Sequence, residues 1–188
     1  MANNDINTDT NVRKPLRYHE TIEPFMDVVG QYFFEEDLYV YRTVVNNPPS
    51  EYDITPQRRR NHDSQGPILT FQYTKEDVEE MTEKEIKEEI GHNAISVHQT
   101  EDMEIKEAKR AYKSFSKKHT AEEAEAYKFR RGTYVARFHI TKDNALISKF
   151  DNVKKYANVV LREGVTVEDL IDKTYPIKPF SYEDEDKK

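Results

Sequence analysis

An α+β fold, built on an antiparallel or mixed β-sheet with its helices segregated in the middle of the chain, is what this sequence predicts. Three observations carry that expectation. Residues 133–140 alternate apolar and polar side chains, the signature of a strand with one buried face. Helical periodicity with capping residues runs through 74–131. Shorter strand-like stretches stand on both sides of that helical block, the layout of a sheet with helices grouped apart from it. At 188 residues the chain suits one domain. It is expected over 15–180, between a polar mobile arm at 1–14 and a charged tail at 181–188.

Taken in order, Ile22, Phe25, Met26, Val29 and Phe33 recur at helical spacing, with Pro24 suited to a first turn. Residues 38–45 read as a strand in which Leu38, Val40, Arg42 and Val44 share one side. The segment 46–67 reads as a long loop broken by Pro48, Pro49, Pro56, Gly66 and Pro67, and 68–73 as a second strand. Thr74 and Asp77 open a helix to about Ile90, and Gly91 stops it. A short strand over 94–98 follows. Thr100 then caps a helix with Ile105, Ala108, Tyr112 and Phe115 on one face, its acids first and its lysines last, as the macrodipole favours. Thr120 and Glu123 cap a third helix that ends near Arg131 and Gly132. In 133–140, Tyr134, Ala136, Phe138 and Ile140 point inward. Strands at 145–147, 157–161 and 175–177, with a short helical turn begun by Thr166 and Asp169, complete the chain.

Composition excludes more than it assigns. Only 36% of residues are hydrophobic and 35% are charged, so most of the charge must lie at the surface. The net charge of −7 speaks against general DNA binding. With no cysteine, disulfides, thiolate metal sites and thiol catalysis are excluded, which fits a reducing compartment; the cytoplasm is the expected location. The first residues have neither the basic start nor the apolar run of a signal peptide, and no stretch has the roughly 18 apolar residues of a membrane span.

Motifs of several enzyme classes are missing. There is no Gly-rich nucleotide loop, no Gly-x-Ser-x-Gly elbow and no His-Glu-x-x-His. The six histidines show no metal-ligand spacing, and they read as surface or internally satisfied groups, so no metal site is assigned. The run Arg58-Arg59-Arg60, with His62 close behind, can contact phosphates or lie solvated in its loop. Arg42 is more informative. It stands mid-strand between Val40 and Val44, where it must snorkel, pair with a carboxylate or hold an anionic ligand. Ser96, between Ile95 and Val97, is the second polar residue set in an apolar strand.

Three segments resemble, in order, those of ADP-ribosyltransferase-like domains. Leu38-Tyr39-Val40-Tyr41-Arg42 is similar to the family's first strand, which ends in an arginine that grips the phosphates of the dinucleotide. Ala94-Ile95-Ser96-Val97 resembles its central serine-bearing strand, without the Ser-Thr-Ser pattern. The stretch 134–164, with Val159-Val160-Leu161 before a glycine turn, resembles its closing strands. In the family an acid precedes that apolar run and stabilises the oxocarbenium-like ribose; here the position is Asn158, which lacks the negative charge. The resemblance implies a nucleotide-binding domain, active or decayed, with NAD as ligand and Arg42, Ser96 and Asn158 in its cleft. Two alternatives stand beside it. One is a non-enzymatic module whose acidic helices meet a protein partner, and the other is RNA contact through 58–62.

Overall fold

The computed structural model describes residues 13–56 and 73–183. Arg58, Arg59, Arg60, His62, nearly all of the strand expected over 68–73, and most of both terminal segments lie outside those residues.

The chain begins with helices α1 (His19–Ile22) and α2 (Met26–Tyr32), strands β1 (Phe33–Phe34) and β2 (Leu38–Val44), then helices α3 (Lys75–Glu80) and α4 (Glu83–Gly91). After β3 (Ile95–His98) come α5 (Glu101–Ser116) and α6 (Ala121–Arg131), which form a helical hairpin. The chain then runs through β4 (Tyr134–Ile140), β5 (Ala145–Ser148), β6 (Tyr156–Leu161), α7 (Val167–Leu170) and β7 (Lys178–Pro179). The strands form one sheet in the order β1-β5-β6-β3-β2-β4-β7, and every neighbouring pair is antiparallel. The predicted α+β class is the observed one, with the antiparallel alternative realised.

Local chemistry explains the helix limits. Thr74 with Asp77, Thr82 with Glu85, Thr120 with Glu123 and Thr166 with Asp169 each form a reciprocal capping box. Each of those four carboxyls is held below its usual range, first of all by hydrogen bonds from its own capping threonine. The second box divides the helix expected over 74–90. Met81 turns extended, with ψ of 145°, and Thr82 starts α4 afresh. At the end of α6, Gly132 takes φ of +100°. A Cβ there would lie 2.2 Å from the Val44 carbonyl oxygen, so only glycine allows this close passage under β2.

The two faces of the sheet are treated differently. On one, Val40, Val44, Val97, Phe138, Ile147 and Val159 are almost fully buried in a continuous apolar cluster, closed by Ile54, Val165, Val167 and Leu170. Phe138 lies inward as its alternation predicts. The other face is covered at its two ends only. α1 to α4 bury Ile22, Phe25, Val29, Ile86 and Ile90 around Val160 of β6, while α5 packs across β2, β3 and β4. Between those helical groups lie Ser96, Tyr156 and Asn158, with the buried His98 beside them, and at Ser96 and Tyr156 the sheet opens to solvent.

Two differences occur near the C-terminus. The last strand forms at Lys178–Pro179, past the stretch expected at 175–177, because Tyr175 turns its ring against Tyr41 and under the Arg137 guanidinium. Its hydroxyl donates to Glu101. Tyr182, expected in the charged tail, is buried, and its hydroxyl donates to the Gly132 carbonyl at 2.7 Å. Burial pushes this phenol well above its ordinary range. No helix among the described residues is long and apolar enough to cross a membrane.

Candidate functional site

The site starts from a fork in the sheet. β2 pairs with β4 along its whole length, from Leu38 opposite Ile140 to Val44 opposite Tyr134. With β3 it shares a single register pair, Tyr41 opposite His98. Past that pair the strands diverge, and the backbone groups that a continuous ladder would join need other partners. Three side chains supply them. The Thr43 N–H donates to Glu104 Oε1 at 2.8 Å, and the Val45 N–H to Asp53 Oδ1 at 2.6 Å. From Arg42, Nη1 donates to the Ser96 carbonyl at 2.5 Å and Nε to the Asp53 carbonyl at 2.9 Å. The arginine singled out from the sequence therefore bridges the fork through backbone carbonyls.

β3 and β6 stay paired, and their register sets Ser96 opposite Asn158. Ser96 Oγ donates to Asn158 Oδ1 at 3.2 Å, and the Asn158 side chain passes so close to the backbone of Gly91 that a Cβ there would stand 3.2 Å from Nδ2. The structure thus sets the three sequence-derived residues on adjacent strands, with Arg42 on the face of Val40 and Val44 and Ser96 and Asn158 on the other. They do not share one cavity. Arg42 and Ser96 line a first cleft of about 560 Å³ against the α5–α6 hairpin. Ser96 and Asn158 line a second, of about 950 Å³, against α4 and β1. Ser96 and Tyr156 belong to both and form the ridge between them.

The first cleft carries charge and rings together. Arg130 and Arg131 come from the C-terminus of α6, Lys154 from the turn before β6, and Arg42 from the fork. Arg131 has its Nε buried with no hydrogen-bond partner among the described residues, an arrangement that costs free energy. Tyr127, Phe115 and Tyr156 supply the aromatic walls, and Tyr127 stacks on Phe115 with centroids 4.5 Å apart. Two acids also line the cleft, and both are engaged. Glu107 takes a two-point hydrogen bond from Arg110, at 2.7 and 2.8 Å, and this bond above all lowers its pKa.

Glu104 is the buried acid, 3% exposed, beside His98 at 5%. Its Oε2 meets Nδ1 of His98 in a short contact. Burial pushes the Glu104 carboxyl toward neutrality. The hydrogen bond and charge of His98, with the Thr43 N–H, outweigh burial and hold the carboxyl below the usual carboxylate range. His98 Nε2 makes no hydrogen bond to a described residue, and His98 lines the cleft.

Sequence reasoning singled out Arg42, Ser96 and Asn158 but not this pair, nor Arg130, Arg131 and Lys154. The signals were present but read otherwise: Glu104 as one of several acids suited to a helix N-terminus, and the arginines as a helix end. Among the described residues no group of three or more His, Asp or Glu side chains is placed to hold a metal ion. In comparisons with protein-family models, curated proteins and solved structures, nothing matches.

Proposed function

We propose that the cleft between the sheet and the α5–α6 hairpin binds a nucleotide, with a dinucleotide such as NAD as its natural size class, in the manner of an ADP-ribosyltransferase-like domain. One observation carries the reading. In a chain of net charge −7, Arg42, Arg130, Arg131 and Lys154 converge with Tyr127, Phe115 and Tyr156 on a single cleft. Cations suit the pyrophosphate, and stacked rings suit a base. The placing of Arg42, Ser96 and Asn158 on three adjacent strands supports the same reading. Arg42, fixed by carbonyls, would act as a wall of the site, with the phosphates lying toward Arg130 and Arg131.

The test is calorimetric titration of wild type, Arg130→Glu and Arg131→Gln with NAD, ADP-ribose and AMP. The wild type is expected to bind, with ADP-ribose tighter than AMP. Each variant should weaken binding at least about tenfold, or ~1.4 kcal/mol. Failure of the wild type to bind all three ligands would sink the proposal. It would leave the alternative of a protein-binding module, whose acids are exposed along α3 and α4.

A further inference from the structure

We infer that His98 and Glu104 form a general-base pair at the floor of the nucleotide cleft, in which Glu104 positions the imidazole and His98 Nε2 takes a proton from a water or hydroxyl nucleophile. The inference rests on the proposed nucleotide reading and adds a proton acceptor to that cleft.

Three features lead there. The first is orientation. Glu104 is fixed twice, by the Thr43 N–H at 2.8 Å through Oε1 and by His98 Nδ1 through Oε2. A carboxylate held as an acceptor obliges Nδ1 to be the donor, so in the neutral imidazole the free lone pair is on Nε2. The second is access. Nε2 makes no hydrogen bond to a described residue, and His98 lines the cleft together with Ser96, Arg42 and Tyr156. The third is that the pair reaches two ways: Oε1 of Glu104 serves the fork through the Thr43 N–H, while both side chains line the cleft. A nucleophile-activating base oriented by a carboxylate is the arrangement that general-base catalysis requires.

With NAD in the cleft the step balances as follows. The oxygen of water bonds to ribose C1′, and the bond from C1′ to the nicotinamide nitrogen breaks, its electron pair leaving with neutral nicotinamide. The water proton passes to His98 Nε2 and thence to solvent. An alcohol or carboxylate acceptor replaces water with the same bonds made and broken, except that a carboxylate brings no proton to remove. Nucleophiles with a proton to lose are therefore the acceptor class that this pair serves.

The experiment uses the full chain as wild type, His98→Asn and Glu104→Gln. Asparagine keeps an N–H near the place of Nδ1 to donate to Glu104, and so preserves the fork while deleting Nε2. Glutamine keeps an oxygen for the Thr43 N–H but turns its amide N–H toward Nδ1, which must then accept, moving the ring proton to Nε2. Two readouts are taken. Nitrogen-15 NMR of the histidine rings at about pH 8, above the ordinary imidazole range, reports the tautomer; nicotinamide release from NAD reports the chemistry, with ADP-ribose titration as the measure of binding. The wild type should carry its proton on Nδ1 and Glu104→Gln on Nε2. Both variants should release nicotinamide at least about 100-fold more slowly, with ADP-ribose affinity held within about threefold. A wild-type proton on Nε2 would overturn the pair, and so would variants that keep the wild-type rate. Binding of ADP-ribose by a wild type that releases no nicotinamide also removes the catalytic role while leaving the nucleotide reading intact. Absence of all binding removes both.

Discussion

β2 has two neighbours and meets them in opposite ways. Toward β4 it makes an unbroken antiparallel ladder whose inward residues are sealed in the apolar cluster. Toward β3 it pairs once and then parts, and side chains take over the bonds that backbone would otherwise make. A ladder satisfies its polar groups by repetition and leaves no room for anything else. A fork must satisfy them one at a time, with charged groups drawn from distant parts of the chain, and in doing so it leaves a cleft with those charges at its edge. The comparison teaches that the site is built where the sheet fails to close.

That contrast can be broken or sharpened by mutation. The largest effect belongs to the sealed side. Phe138→Ala removes a fully buried ring and should lower stability by about 3–5 kcal/mol in chemical denaturation; a loss under about 1 kcal/mol would mean that the ladder is not the stable half. Next comes Glu104→Ala, which strands the Thr43 N–H and His98 in a buried setting and should cost about 3 kcal/mol. If this variant melts like wild type, the fork is held by something other than side chains. Arg42→Ala is placed third, at about 2 kcal/mol, for the loss of charge-assisted bonds to the Ser96 and Asp53 carbonyls. The least is Ser96→Ala, within about 0.5 kcal/mol, since the fork uses the carbonyl of Ser96 and not its hydroxyl.

Acid provides a further test of the fork. The Glu104 carboxyl is depressed in the folded state, so the unfolded chain takes up its proton first as pH falls. The stability that Glu104 contributes is therefore complete above the ordinary carboxylate range, near about pH 4.3, and is lost as pH drops through the folded value. Denaturation midpoints measured from neutral to acid pH should fall less steeply in Glu104→Gln than in wild type. Parallel curves would show that this carboxylate does not carry the acid sensitivity.

How far the sequence could be read depended on the distance over which each interaction acts. Phe138, the Thr120–Glu123 box and the face of β2 were legible because alternation and capping are local patterns. Thr82 was equally local, with Glu85 three residues on, yet the longer helical rhythm of 74–90 concealed it. Glu104 was not legible. It stands four residues before Ala108 on the buried stripe of α5, but an acid in a first helical turn already has a local explanation, and the Thr43 N–H that it holds lies 61 residues earlier. Arg42 stood out as a charge on an apolar strand, but the Asp53 and Ser96 groups it meets are carbonyls, and a carbonyl leaves no mark in a sequence. The side-by-side placing of Ser96 and Asn158 likewise required the β3–β6 register.

Both roots of the α5–α6 hairpin are fastened to consecutive residues of β2. At one root Glu104 holds the Thr43 N–H, and at the other Gly132 passes beneath the Val44 carbonyl. Mechanically this is a lever on a narrow pivot. With a rise of about 1.5 Å per residue, Phe115 lies roughly 16 Å along α5 from Glu104, so a tilt of the hairpin displaces Phe115 and its stacked partner His119 far more than Arg131. The arginine end of the cleft therefore stands nearest the pivot and the aromatic end farthest from it, with the contact of Tyr112 and Tyr182 as a brace part-way along α5.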